Sequence, residues 1–157
     1  MELSVNIENI EHNNIVYKLP VKNQNNNYKN YYKIILSTEN FNLKYIILKI
    51  ELKNFLIKKE NNNFKLVVNE NNEIVKKLIN FEKQLLYGIN NTLNKKCNYS
   101  LKNELENKEY LYKFNKYPQN KYIYFKISGL WENNETIGIV YKLYYNISTE
   151  NFSSIVF

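Results

Sequence analysis

Residues 121–128 read Lys-Tyr-Ile-Tyr-Phe-Lys-Ile-Ser, and this alternation restricts the fold more than any other feature. Successive side chains of a strand point to opposite faces, so Ile123, Phe125 and Ile127 share one side and Tyr122, Tyr124 and Lys126 the other. The first side is an apolar core face. The second presents flat aromatic rings beside positive charge. Residues 137–145 repeat the strand signal, so the two stretches read as a hairpin-like pair around a 129–136 connection that holds Gly129 and Trp131.

Further strands are expected near 3–10, at 15–19 where Pro20 ends the run, at 31–36, and at 64–69 after Asn61, Asn62 and Asn63. The longest strand signal runs over 43–58. It sets Ile46, Leu48, Ile50 and Leu52 against Tyr45, Ile47, Lys49, Glu51 and Lys53. Over 72–93 the period changes. Ile74, Leu78, Phe81, Leu85 and Ile89 recur at the spacing of an amphipathic helix, and Asn71 or Asn72 can cap its start. Residues 22–30 read as a mobile polar loop, and 94–120 as polar and mixed. The expectation is a single mainly-β domain over 1–157 with one principal α-helix. Strands, then a helix, then strands is the order of a small oligonucleotide-binding (OB) barrel or a related sheet.

Asparagine, lysine, isoleucine and tyrosine dominate, while alanine, arginine and aspartate are absent, a bias that an A- and T-rich genome imposes on any protein. The 15 tyrosines therefore mean little by number, and only their placement carries an argument. The net charge of +7 is placed too: residues 31–59 carry six lysines against two glutamates, and residues 110–145 five against two. Both segments are read as strands, so the excess charge lies on sheet and not on a solvated helix.

The side chains available for catalysis are few. His12 lies among Glu11, Asn13 and Asn14, Cys97 is the lone cysteine, and Glu104, Glu106 and Glu109 fall in a polar run. One histidine and one cysteine do not make a zinc site, and Gly88, Gly129 and Gly138 are too far apart for a phosphate-binding loop. A non-enzymatic protein with no catalytic residues, no metal and no cofactor is expected. No run of about 18 apolar residues occurs, and the start lacks a secretory pattern, so an intracellular protein without membrane contact is expected, in cytoplasm or nucleus.

Lysine without arginine suits neutralisation of a phosphate backbone better than reading of base edges. Beside tyrosine and tryptophan, on which bases stack, it points to sequence-tolerant binding of a single strand. The candidate contacts are Tyr122, Tyr124, Lys126, Trp131, Lys142 and Tyr144 in the last third, and Tyr45, Lys49 and Lys53 on the long strand. Tyr32 and Lys33 come from a further cluster beside the polar loop.

The segment Lys126-Ile-Ser-Gly-Leu-Trp-Glu, followed by Gly138-Ile-Val-Tyr-Lys, resembles a pattern in small single-stranded DNA-binding proteins of DNA viruses and virus-like linear plasmids. There a strand ends in Gly-aliphatic-Trp-Glu and its return strand opens with Gly-aliphatic-x-Tyr-basic. Gly129, Leu130, Trp131, Glu132, Gly138, Ile139, Tyr141 and Lys142 match it, over about 25 residues, while residues 1–70 match nothing. The resemblance implies single-stranded DNA as partner, with RNA as the related ligand, and a role in viral or plasmid DNA replication. A homo-oligomer is compatible with it. The alternative is a virus-encoded interaction or structural protein whose exposed tyrosines meet a protein partner, since tyrosine is enriched at interfaces where lysine is depleted.

Overall fold

The computed structural model describes residues 4–22, 29–69 and 71–145. Most of the expected polar loop at 22–30 lies outside them, as does Leu3. In chain order the elements are β1 (Ile15–Tyr17), β2 (Val21–Lys22), β3 (Asn30–Ser37), β4 (Asn42–Leu43), β5 (Ile46–Glu51), β6 (Phe55–Glu60) and β7 (Asn63–Val68). They are followed by α1 (Glu73–Leu93), β8 (Lys96–Asn98), α2 (Ser100–Asn107), β9 (Tyr112–Phe114), β10 (Tyr122–Glu132) and β11 (Thr136–Tyr144). The fold is mainly β, a sheet curled into a half-barrel with two helices, and is compatible with an OB-like barrel.

β10 organises the sheet. One edge pairs antiparallel with β11. The other edge is shared, with β5 along Tyr122–Ile127 and β3 along Gly129–Glu132. The change of partner falls where the β10–β11 register slips between Ile127 and Gly129. A bulge bends its strand and adds twist, so this single irregularity curls the sheet and hands β10 from one neighbour to the next. β6, β7 and β9 form a second, three-stranded sheet.

The alternation expected over 121–128 holds: Ile123, Phe125 and Ile127 are buried and Tyr122, Tyr124 and Lys126 are half-buried on the other face. The inner face is covered by Leu78, Phe81 and Leu85 of α1 and by Leu101 and Leu105 of α2. Helix α1 starts as the sequence indicates, with the Asn72 side-chain oxygen accepting from the Ile74 N–H at 2.8 Å. Glu82 is fully buried on α1, and its carboxylate accepts from the backbone N–H groups of Leu101 and Lys102, at 2.9 and 2.8 Å. It thereby satisfies donors that the first turn of α2 would otherwise leave orphaned.

Several expectations are corrected. The strand expected near 3–10 is a single bridge, Val5 to Leu48, followed by a 3-10 turn at Ile7–Asn9. Beside that bridge the Val5 N–H donates to the Ile47 carbonyl at 2.8 Å, and Ile47 is 1% exposed although alternation assigns it to the open face. The stretch 43–58 is not one strand. At Leu52–Asn54 it makes a 3-10 turn, because Leu52 drops into the core while its N–H donates to the Lys121 carbonyl at 2.8 Å. β6 then continues in the second sheet. Residues 94–120 hold a second helix and two short strands, and the β10–β11 connection is only residues 133–135, so Gly129 and Trp131 stand within β10.

Candidate nucleic-acid interface

Antiparallel register places the outer-face residues beside one another. Across β10 and β11, Lys126 stands opposite Lys142 and Tyr124 opposite Tyr144, and on the other side Tyr124 pairs with Lys49 of β5. On β3, Tyr31 faces Trp131 and Lys33 faces Gly129. Lys18 follows β1 and comes alongside by donating its N–H to the Lys33 carbonyl at 2.9 Å.

A groove of about 640 Å³ crosses this outer face. Lys18, Lys33, Lys44, Lys126 and Lys142 line it, and among the described residues none that lines it is acidic. Ile35 and Val140 add apolar surface, with Ser128 between strands. Five lysines gathered on one face make a local field that attracts polyanions. Two of their ammonium groups rest on aromatic faces: Lys126 Nζ lies 3.8 Å from the centre of the Tyr45 ring, and Lys142 Nζ 5.3 Å from that of Tyr144. Beyond the groove, Lys49 Nζ lies 3.9 Å from the centre of Tyr122. Such contacts are cation–π interactions, in which the ring quadrupole attracts the ammonium group.

Both strand glycines make room for rings. A side chain at Gly138 would lie 2.7 Å from the indole of Trp131, so the tryptophan lies flat across the neighbouring strand. Likewise a side chain at Gly129 would lie 2.6 Å from the Tyr31 hydroxyl. Burial raises the Tyr31 pKa, opposed by a hydrogen bond with Ser128. Tyr141 turns to the inner side. Its pKa is raised by burial and by hydrogen bonding to Glu104, so it stays a neutral phenol.

Of the expected contacts, Lys33, Tyr45, Lys126, Lys142 and Tyr144 meet in the groove. Tyr124 lies beside it through Tyr144, and Tyr122 with Lys49 forms a separate pair further along β10. Trp131 packs over Gly138 at the opposite end of the strand. Lys53 is displaced: it leaves the strand in the 3-10 turn and pairs with Glu51 at 2.6 Å.

Tyr32 is a correction. It is 6% exposed and points inward, and burial followed by the charge of Glu132 pushes its pKa up to about 12. Glu132 is itself buried and ion-paired to Lys95 at 3.0 Å, with Asn30 also donating to its carboxylate. The alternation of Tyr32 with Ile34 and Leu36, all buried, is the signal that assigns it to the core and Tyr31 to the open face. Lys18 and Lys44 lacked any local signal, because only the pairing of β3 with its neighbours brings them to the groove.

Among the described residues, no group of three or more histidine, cysteine or acidic side chains could hold a metal ion, and no helix is long and apolar enough to cross a membrane. Compared with protein-family models, curated proteins and solved structures, the chain matches none.

Proposed function

We propose that this protein binds single-stranded DNA with little regard to sequence, along the outer face of its curled sheet. The observation that supports this most is the groove, in which five lysines stand among tyrosine rings with no acidic side chain among the described residues that line it. Phosphates take the ammonium groups and bases stack on the rings, each productive stack contributing about 1–3 kcal/mol. The missing arginine leaves no planar fork for guanine, so discrimination between sequences is weak. A role in viral or plasmid DNA replication rests on the resemblance of the β10–β11 segment alone. A second reading, a protein-partner surface, draws support from Leu19 and Val21, which are 88% and 58% exposed beside β3.

Anisotropy of a labelled oligothymidylate, titrated at two salt concentrations, separates the two. With three to five phosphates neutralised, log affinity falls along log salt with a slope of about −2 to −3.5. Between about 50 and 200 mM salt that is a loss of about 16- to 130-fold. Lys18→Gln should weaken binding, and Lys53→Gln, already neutralised by Glu51, should not. Salt-independent affinity would favour the protein partner.

A further inference from the structure

Between Glu109 and Glu132 the chain carries four lysines and no acidic residue. The part of this stretch that precedes β10 builds a second cleft, of about 460 Å³, around β9 and the loop after it. One wall is a cluster of rings: Phe114 packs on Tyr112 at 4.9 Å between ring centres and on Tyr145 at 4.7 Å. The Asn120 N–H donates to the Tyr145 hydroxyl at 2.7 Å, which ties the loop to the end of β11. Tyr117 also lines the cleft, 57% exposed, with its ring set at 90° to that of Phe64. Lys113 and Lys116 line it together with Asn115 and Gln119, and among the described residues none that lines it is acidic.

The cleft adjoins the groove. Tyr144 lines the groove, and the next residue, Tyr145, lines the cleft. Tyr124 stands opposite Tyr144, and Tyr122 with Lys49 carries the outer face on to the start of β10, two residues from Asn120. Aromatic and basic side chains thus link one to the other.

We infer that the cleft is a second nucleotide subsite, which takes one nucleotide of the strand leaving the groove, its base against Tyr117 and its phosphate at Lys116. The volume lies within the range of about 300–1,000 Å³ typical of small-molecule pockets. A base stacked on an exposed ring is held whatever its identity. The side-chain amides of Asn115 and Gln119 each offer both donor and acceptor, so they can meet the edge of any base. This assignment rests on the strand-binding reading for the path into the cleft, though not for the cleft itself.

The test measures affinity for oligothymidylates of about 4 to 16 nucleotides, at two salt concentrations, for wild type, Lys116→Gln, Tyr117→Leu and the groove variant Lys18→Gln. Lys116 and Tyr117 are exposed, so neither change opens a core cavity, and thermal midpoints check that the variants fold. The shortest oligomers should bind both cleft variants as they bind wild type. For the longest, Tyr117→Leu should lose about fivefold or more with the salt slope retained. Lys116→Gln should flatten that slope by up to about 0.7. Lys18→Gln should weaken every length. Cleft variants that match wild type at every length overturn the subsite and leave the groove standing. Cleft variants that weaken every length equally make cleft and groove one site, which also overturns a second subsite. Should wild type ignore oligothymidylate of every length, the strand-binding reading falls, and thymidine 5′-monophosphate decides the cleft. A midpoint that it raises in wild type but not in Tyr117→Leu keeps the subsite, and an unmoved midpoint overturns both.

Discussion

Substituting Gly138 by alanine sets two effects of opposite sign against each other. Gly138 adopts no left-handed conformation, so its backbone accepts any residue. Gly→Ala at such a site ordinarily stabilises a protein by about 0.4–1 kcal/mol, because the unfolded chain has less freedom to lose. Against this, the new methyl would lie 2.7–2.8 Å from three atoms of the Trp131 indole. The ring must slide or tilt by several tenths of an ångström, on a face where Tyr31 stands at the opposed register position. Overpacking of this kind costs about 1–3 kcal/mol, so the net expectation is a loss of about 0.5–2 kcal/mol. At about 2–4 °C per kcal/mol for a chain of this size, the thermal midpoint should fall by about 1–8 °C. Trp131 is the sole tryptophan, so its emission reports the displacement without interference, and should shift as the ring leaves Gly138. Gly129→Ala should cost more, because the new methyl would run into the Tyr32 carbonyl oxygen, a backbone atom that cannot swing aside. A Gly138→Ala protein with unchanged emission and a raised midpoint would refute the stacked arrangement of Trp131.

Phe125→Ala, at a position 1% exposed, should cost about 3–5 kcal/mol, while its neighbour Tyr124→Ala on the open face should change stability by less than about 1 kcal/mol, as chemical denaturation of the two variants will show. Glu132 gives a pH dependence. Burial alone raises its pKa, but hydrogen bonds from Asn30 and Lys95 and the charge of Lys95 more than offset this and hold it below the usual carboxylate value. A depressed folded pKa contributes stability above the unfolded value, and that contribution drains as pH falls through the folded one. The wild-type midpoint should therefore drop between about pH 5 and 3 more steeply than that of Glu132→Gln, and parallel melting curves would contradict the buried pair.

What local pattern specifies and what it leaves open are visible residue by residue. Alternation assigns Phe125 inward and Tyr124 outward, and the apolar stripe with its asparagine cap locates α1 to within a residue, because both are set by the geometry of a single element. The same alternation misleads along 43–58, where Leu52 is pulled into the core and turns the chain, so that Lys53 never reaches the face shared by Lys49 and Lys126. It misleads again at Ile47, which is buried although alternation turns it to the open face.

The groove shows the same division. That Lys126, Lys142 and Tyr144 face outward follows from their own strands, and their opposition follows from a hairpin whose register the sequence only approximates. That Lys18, Lys44 and Tyr45 join them follows from nothing nearby in the chain. It depends on β10 bending at the Ile127–Gly129 irregularity, which leaves one neighbour and takes up another. Composition and strand alternation specify the side chains suited to a polyanion: lysine without arginine, beside tyrosine, on amphipathic strands. Which of them share one groove is set in three dimensions, because sheet register and curl are settled by burying the whole inner face at once, across strands far apart in the chain.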